Sequence, residues 1–190
     1  MTKIKGRIII SRDRVELSER VAISIVSHVI GNPEACISAC VGATPSLSYR
    51  QISSYASRGV VDFSRARIVL WDEFLSTNQA LPANPHFIEL NKTLFTPSMI
   101  PKERITSLGT GMPIQQIFSA YQEIVNVRRV NLVILGLAPN GNLGWITPLS
   151  PVDQGVHLVD ITEATPDQNL SKLKFPKKKK KKTIFLMLIL

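Results

Sequence analysis

The sequence predicts an α/β fold, doubly wound around a mostly parallel sheet, and three observations carry that expectation. A continuous apolar run at 35–41 and the largely apolar segments 66–70 and 131–137 have the length and composition of buried strands. Segments with helical spacing of apolar residues, at 16–30, 46–58 and 113–127, alternate with them. Loops of unusual composition follow the strands at 42–45, 71–73 and 139–148. Buried strands alternating with helices give a parallel sheet covered on both sides, an αβα sandwich. In such sheets ligands bind beyond the carboxyl ends of the strands, so the three loops are expected to share one rim.

The elements follow in order. Residues 7–11, with Ile8, Ile9 and Ile10, read as a short strand. The first helix carries Val21, Ala22, Ile25, Val26, Val29 and Ile30 on one face, and Gly31 and Pro33 stop it. The run 35–41 is the next strand; a turn at Gly42, Ala43, Thr44 and Pro45 leads into a helix closed by Gly59. The strand 66–70 ends at Trp71, Asp72 and Glu73. After a polar loop, 85–95 reads as a helix, and Ile114, Ile117, Phe118, Tyr121, Ile124 and Val125 give 113–127 an apolar face. The strand 131–137 runs into the loop 138–151, and 156–161 reads as one more strand.

A chain of 190 residues has room for one domain with a sizeable core, and its 44% hydrophobic content is that of a globular protein. The net charge of +9 would suggest a nucleic-acid or membrane partner. Its location argues otherwise: eight of the twelve lysines lie between Lys172 and Lys182, and residues 1–170 hold 15 basic and 14 acidic residues. The expected organisation is a domain at 1–170 and a lysine-rich tail at 171–190 outside the fold. The apolar stretch 183–190 is far short of the roughly 20 residues of a membrane helix. Cys36 and Cys40 fall on one face of a strand and read as buried thiols, which fits a reducing compartment. The amino terminus has no signal-peptide pattern, so the expected location is cytoplasmic.

Three places could carry chemistry. The turn at Gly42, Ala43 and Thr44 stands between a buried strand and a helix start, where backbone N–H groups and the helix dipole suit a phosphate. The same residues are equally consistent with Thr44 or Ser46 merely capping the helix, with Pro45 in its first turn. Asp72, at a strand's carboxyl end, suits a general base that takes a proton from carbon beside a carbonyl. An isolated Asp-Glu pair reads more readily as a loop acid or helix cap. The loop from Gly136 to Pro148 has the length of a binding loop but contains neither acid nor base. His28, His86 and His157 are scattered, and no metal-ligand spacing or serine elbow is present, so neither metal nor cofactor is expected.

Those three loops, in that order, resemble the glucosamine- and galactosamine-6-phosphate deaminase/isomerase family and its 6-phosphogluconolactonase relatives. Residues 38–45 are similar to the family's Gly-Thr-Pro phosphate loop, with Gly42 and Thr44 at matching places. Residues 70–74 resemble its strand-end Asp-Glu motif, and 84–87 the loop before the next helix. Residues 135–141, with Asn140, resemble its Gly-Asn/Asp-Gly-His signature. The likeness runs from about 15 to 169, roughly the amino-terminal two-thirds of the family's Rossmann-like fold, with the carboxyl-terminal part missing.

The resemblance implies phosphate binding by Gly42, Ala43 and Thr44, and proton transfer between C2 and C1 by Asp72 during conversion of a hexosamine 6-phosphate to a ketose 6-phosphate and ammonia. It also marks departures. Asn142 stands where the family has its ring-opening histidine, and Thr147 where it has the supporting glutamate. Asn exchanges no proton near neutral pH, so the expected activity is impaired. The implied partner is a small sugar phosphate, without nucleic acid or membrane, and a homo-oligomer is compatible with it. Alternatives are a non-catalytic sugar-phosphate binder, a 6-phosphogluconolactonase-like hydrolase and a truncated, non-functional product.

Overall fold

The computed structural model describes residues 6, 8–76, 85–107, 114–124, 126, 130–137, 143, 155–160 and 183–187. Helix α1 (Arg14–Gly31) leads to β1 (Cys36–Ala39), α2 (Ala43–Ser57) and β2 (Arg67–Leu70). Strand β3 (Asp72–Ser76) follows almost at once, then α3 (Pro85–Leu90), which continues as a π turn at Asn91–Phe95. Next come β4 (Ile105–Thr106), α4 (Ile114–Glu123), β5 (Leu132–Val133), β6 (His157–Asp160) and β7 (Thr183–Met187).

The main sheet has the order β4-β2-β1-β5, and every pairing in it is parallel. The chain builds outward from β1 through β2 to β4 and then crosses back to place β5 on the other side of β1. That reversal makes the gap between β1 and β5 the topological switch point, and folds of this class bind ligands beyond the strands' carboxyl ends at such a point. The doubly wound, parallel α/β class expected from the apolar runs is the class observed.

Alternation along the strands explains why both faces are covered. Ile37 and Ala39 of β1 and Ile68 and Leu70 of β2 join a core with Ala22, Ile25 and Val29 of α1 and Tyr49, Ile52 and Ala56 of α2. Cys36, Cys40, Val69 and Trp71 join a second core on the opposite face with Tyr121 of α4 and Ile124 just past its end. Both cysteines therefore share one face, as their spacing implied, and neither forms a disulfide. Among the described residues, no helix is long and apolar enough to cross a membrane.

Several expectations differ from the structure. Ile8 and Ile10 are 92% and 88% exposed, and no strand forms at 8–10. β-Branched composition favours extended backbone, but a strand needs a partner, and no described strand pairs with it. Asp72 and Glu73 begin β3 rather than a loop. That strand leaves the parallel sheet and pairs antiparallel with β7, which also pairs with β6. Residues 171–190 were expected outside the fold, yet 183–187 form the middle strand of this second sheet. The run of Ile184, Phe185, Leu186 and Met187 has strong strand propensity, and β3 and β6 both offer it an edge.

Candidate functional site

The rim is built where β1 and β2 end together. Ala39 faces Leu70 in register, and the Trp71 N–H donates to the Ala39 carbonyl at 2.9 Å. Paired strands lie about 4.8 Å apart, so the segments leaving β1 and β2 start side by side. On the far side of β1, the Ile134 N–H donates to the Ser38 carbonyl at 3.0 Å, which carries β5 to the same level.

Gly42 caps α2, its backbone at φ 157°, ψ 168°, and no side chain bonds the open N–H groups of the first turn. Neither Thr44 nor Ser46 is the cap. Ala43 and Thr44 are exposed in the first turn, while Pro45 at the third helical position removes a donor that would have no intrahelical partner. The Ala43 and Thr44 N–H groups therefore face outward with the helix dipole behind them. Arg14, at the start of α1, donates to the Ala43 carbonyl and brings a guanidinium beside this turn.

Asp72 is only 7% exposed, at the point where the chain leaves β2. His86 lies against it: Nδ1 is 3.1 Å from the Asp72 carbonyl oxygen and 3.5 Å from Oδ2. Glu73 is fully buried and performs a different task. Its Oε1 accepts the His86 N–H at 3.2 Å and its Oε2 the Phe87 N–H at 3.0 Å. Pro85 opens α3 without an N–H, so the next two donors are the ones needing a partner, and one carboxylate satisfies both. The Asp-Glu pair divides its labour: one acid faces the rim while its neighbour ties α3 to it.

The surroundings are those of a desolvated acid. Burial, and then the negative charge of Asp72, push the Cys40 thiol up to about 11, against partial relief from the Gly136 N–H. Burial also raises the Tyr49 phenol, whose O–H donates to the Cys40 carbonyl at 2.7 Å. Tyr121 is raised by burial and by the charges of Glu73 and Asp72. Cys40 just past β1, Tyr49 on α2 and Tyr121 on α4 therefore all feel the charge of Asp72.

Of the residues expected to act, the structure gathers Gly42, Ala43, Thr44 and Asp72 on one rim. Asn140, Asn142 and Thr147 lie outside the described residues. Leu137 and Leu143, which bracket 138–142, form an antiparallel bridge. Sequence reasoning gave His86 no role and missed the capping by Glu73. The available signal was Pro85 opening a helix directly after a polar loop, which leaves donors for an acid to accept. Among the described residues, no three His, Cys, Asp or Glu side chains gather as metal ligands.

No family model matches the chain. Glucosamine-6-phosphate deaminase of Clostridium botulinum (strain Hall) is 30% identical over 166 residues, spanning 86% of this chain and 67% of that protein. The chain belongs to the glucosamine-6-phosphate deaminase family. The family's enzyme from Halothermothrix orenii is 29% identical over 168 residues, spanning 86% of this chain and 68% of its own. That of Alkaliphilus oremlandii is 27% identical over 155 residues, spanning 80% and 64%. The chain thus spans about two thirds of the length of the curated relatives it matches. A monomeric glucosamine-6-phosphate deaminase of the NagB superfamily superposes with a TM-score of 0.77 at 19% identity, over 94% of this chain and 73% of that one. The 6-phosphogluconolactonase of Trypanosoma brucei gives 0.69 at 16% identity, over 98% and 77%. At those identities the structures show a shared fold.

Proposed function

We propose that this chain binds a hexosamine 6-phosphate and acts on it as a deaminase/isomerase of reduced turnover. The observation that carries the reading is the buried carboxylate of Asp72 at the end of β2, on the same rim as the open amino terminus of α2 that follows the neighbouring β1. Gly42, Ala43 and Thr44 hold the phosphate through backbone N–H groups and the Thr44 hydroxyl. Asp72 takes the proton from C2 of the open-chain sugar and returns it to C1 through an enolic intermediate, which leaves an imine at C2; water adds to that imine and ammonia leaves, giving the ketose. Its low exposure suits it to the task, because a carboxylate removed from water is a stronger base toward carbon.

Ring opening is the step assigned reduced rate. Asn142 and Thr147 occupy the positions of the family's histidine and glutamate, and an amide supplies no general acid–base help, a loss of about 10²–10⁴-fold. The assay is ammonia release and ketose formation from glucosamine and galactosamine 6-phosphates, paired with calorimetric binding. Weak binding with slow turnover is expected. Asn142→His with Thr147→Glu is expected to raise turnover beyond the product of the single effects, since the two act as a unit. Turnover at a typical enzymatic rate, about 10 per second, would contradict the impairment, and absence of binding by a cooperatively folded sample would contradict the reading.

A further inference from the structure

Resting on the reading of Asp72 as the base, we propose that His86 is its positioning residue, holding the carboxylate in the orientation that meets the substrate. The two groups are 13 residues from adjacency in sequence and meet because Glu73 ties the start of α3 to the rim. That tie fixes the His86 backbone, and the ring is then set by its own contact with Asp72. Both side chains are largely withdrawn from water, 15% and 7% exposed.

The contact also assigns a tautomer. A carbonyl oxygen only accepts, so the ring nitrogen 3.1 Å from the Asp72 carbonyl carries the proton. Nδ1 also lies 3.5 Å from Oδ2, a longer contact than the hydrogen bond to the carbonyl but one that limits the carboxylate's swing about its own torsions. The groups that face Asp72 from the other elements are Cys40, Tyr49 and Tyr121, with Glu73 beside it on β3.

Misplacing a reacting group by about 1 Å costs on the order of 100-fold, and this is the loss expected in kcat for His86→Leu. KM for glucosamine 6-phosphate is expected to hold, because the phosphate loop is untouched. His86→Asn puts an amide N–H where Nδ1–H stood and is expected to recover most of kcat. Nitrogen-15 shifts of the imidazole supply a readout besides activity: the Nδ1–H tautomer in the wild type, with shifts that move in Asp72→Asn. A neutral Nε2–H tautomer, or shifts indifferent to Asp72→Asn, would overturn the proposal. So would wild-type kcat in His86→Leu alongside inactive Asp72→Asn, or His86→Asn no better than His86→Leu. Were the wild type inactive on every sugar phosphate, the reading of Asp72 would fail separately, and the nitrogen-15 shifts alone would decide for or against the His86–Asp72 contact.

Discussion

Replacing Glu73 by alanine is expected to loosen the rim from beneath. The buried carboxylate accepts two backbone N–H groups, at 3.2 Å and 3.0 Å, at the only turn of α3 that lacks intrahelical acceptors. Its removal also removes the cost of burying a charge, which offsets part of the lost attraction. What remains are two donors in a partly buried turn, at about 1–3 kcal/mol each, so the net loss is roughly 2–5 kcal/mol. For a domain of this size that lowers the melting temperature by about 2–4 °C per kcal/mol, or roughly 4–20 °C. Glu73→Gln keeps one acceptor oxygen and is expected to fall between wild type and Glu73→Ala. Urea denaturation at neutral pH measures the difference, with the slope unchanged if only the native state is affected. A loss below about 1 kcal/mol, with amide protection of residues 86 and 87 intact, would refute the assignment of Glu73 as the cap.

Other perturbations test separate parts of the structure. Tyr49→Phe removes the donor to the Cys40 carbonyl and is expected to cost about 1–3 kcal/mol in the same denaturation assay, because that acceptor is buried. Cys36 and Cys40 are expected to resist a thiol reagent at pH 8 in the native protein and both to react in urea, since both are buried and the Cys40 thiol is raised to about 11. Glu16 is held down to about 2 by the Arg12 backbone N–H and by Arg20. A depressed carboxylate stabilises above its unfolded value of 4.5 and loses that contribution as pH falls toward 2, so the stability of wild type and Glu16→Gln is expected to converge over that window. Truncation after residue 182 removes β7 and leaves β3 and β6 unpaired; hydrogen exchange at residues 72–76 is expected to accelerate.

What the sequence made legible follows from periodicity and from strong local chemistry. The runs 35–41 and 66–70 announced strands buried on both faces because little that is polar interrupts them: Ser38, which is itself buried, and Arg67 at the start of β2. Gly42 and Asp72 stood out because each ends such a run. Partnerships across the fold were not legible. Ile8, Ile9 and Ile10 have strand composition, but composition does not supply a neighbour. The helix cap fell to Gly42 rather than Thr44 because capping depends on backbone geometry at the strand end as well as on side-chain preference. Glu73 and His86 acquire their roles only when α3 folds back on β3, a contact that no local pattern encodes.

The measurement that tests the central claim most directly is entry of solvent deuterium into the carbon skeleton of glucosamine 6-phosphate. Proton NMR in deuterium oxide follows loss of the C2 proton and labelling at C1 of the ketose product. It registers enolisation itself, before the C2 imine is hydrolysed and ammonia is released. The wild-type chain is expected to catalyse exchange and Asp72→Asn to abolish it while still binding the sugar phosphate. Exchange that persists undiminished in Asp72→Asn would contradict Asp72 as the base, and its absence in a folded wild-type chain that binds the sugar would contradict catalysis at this rim.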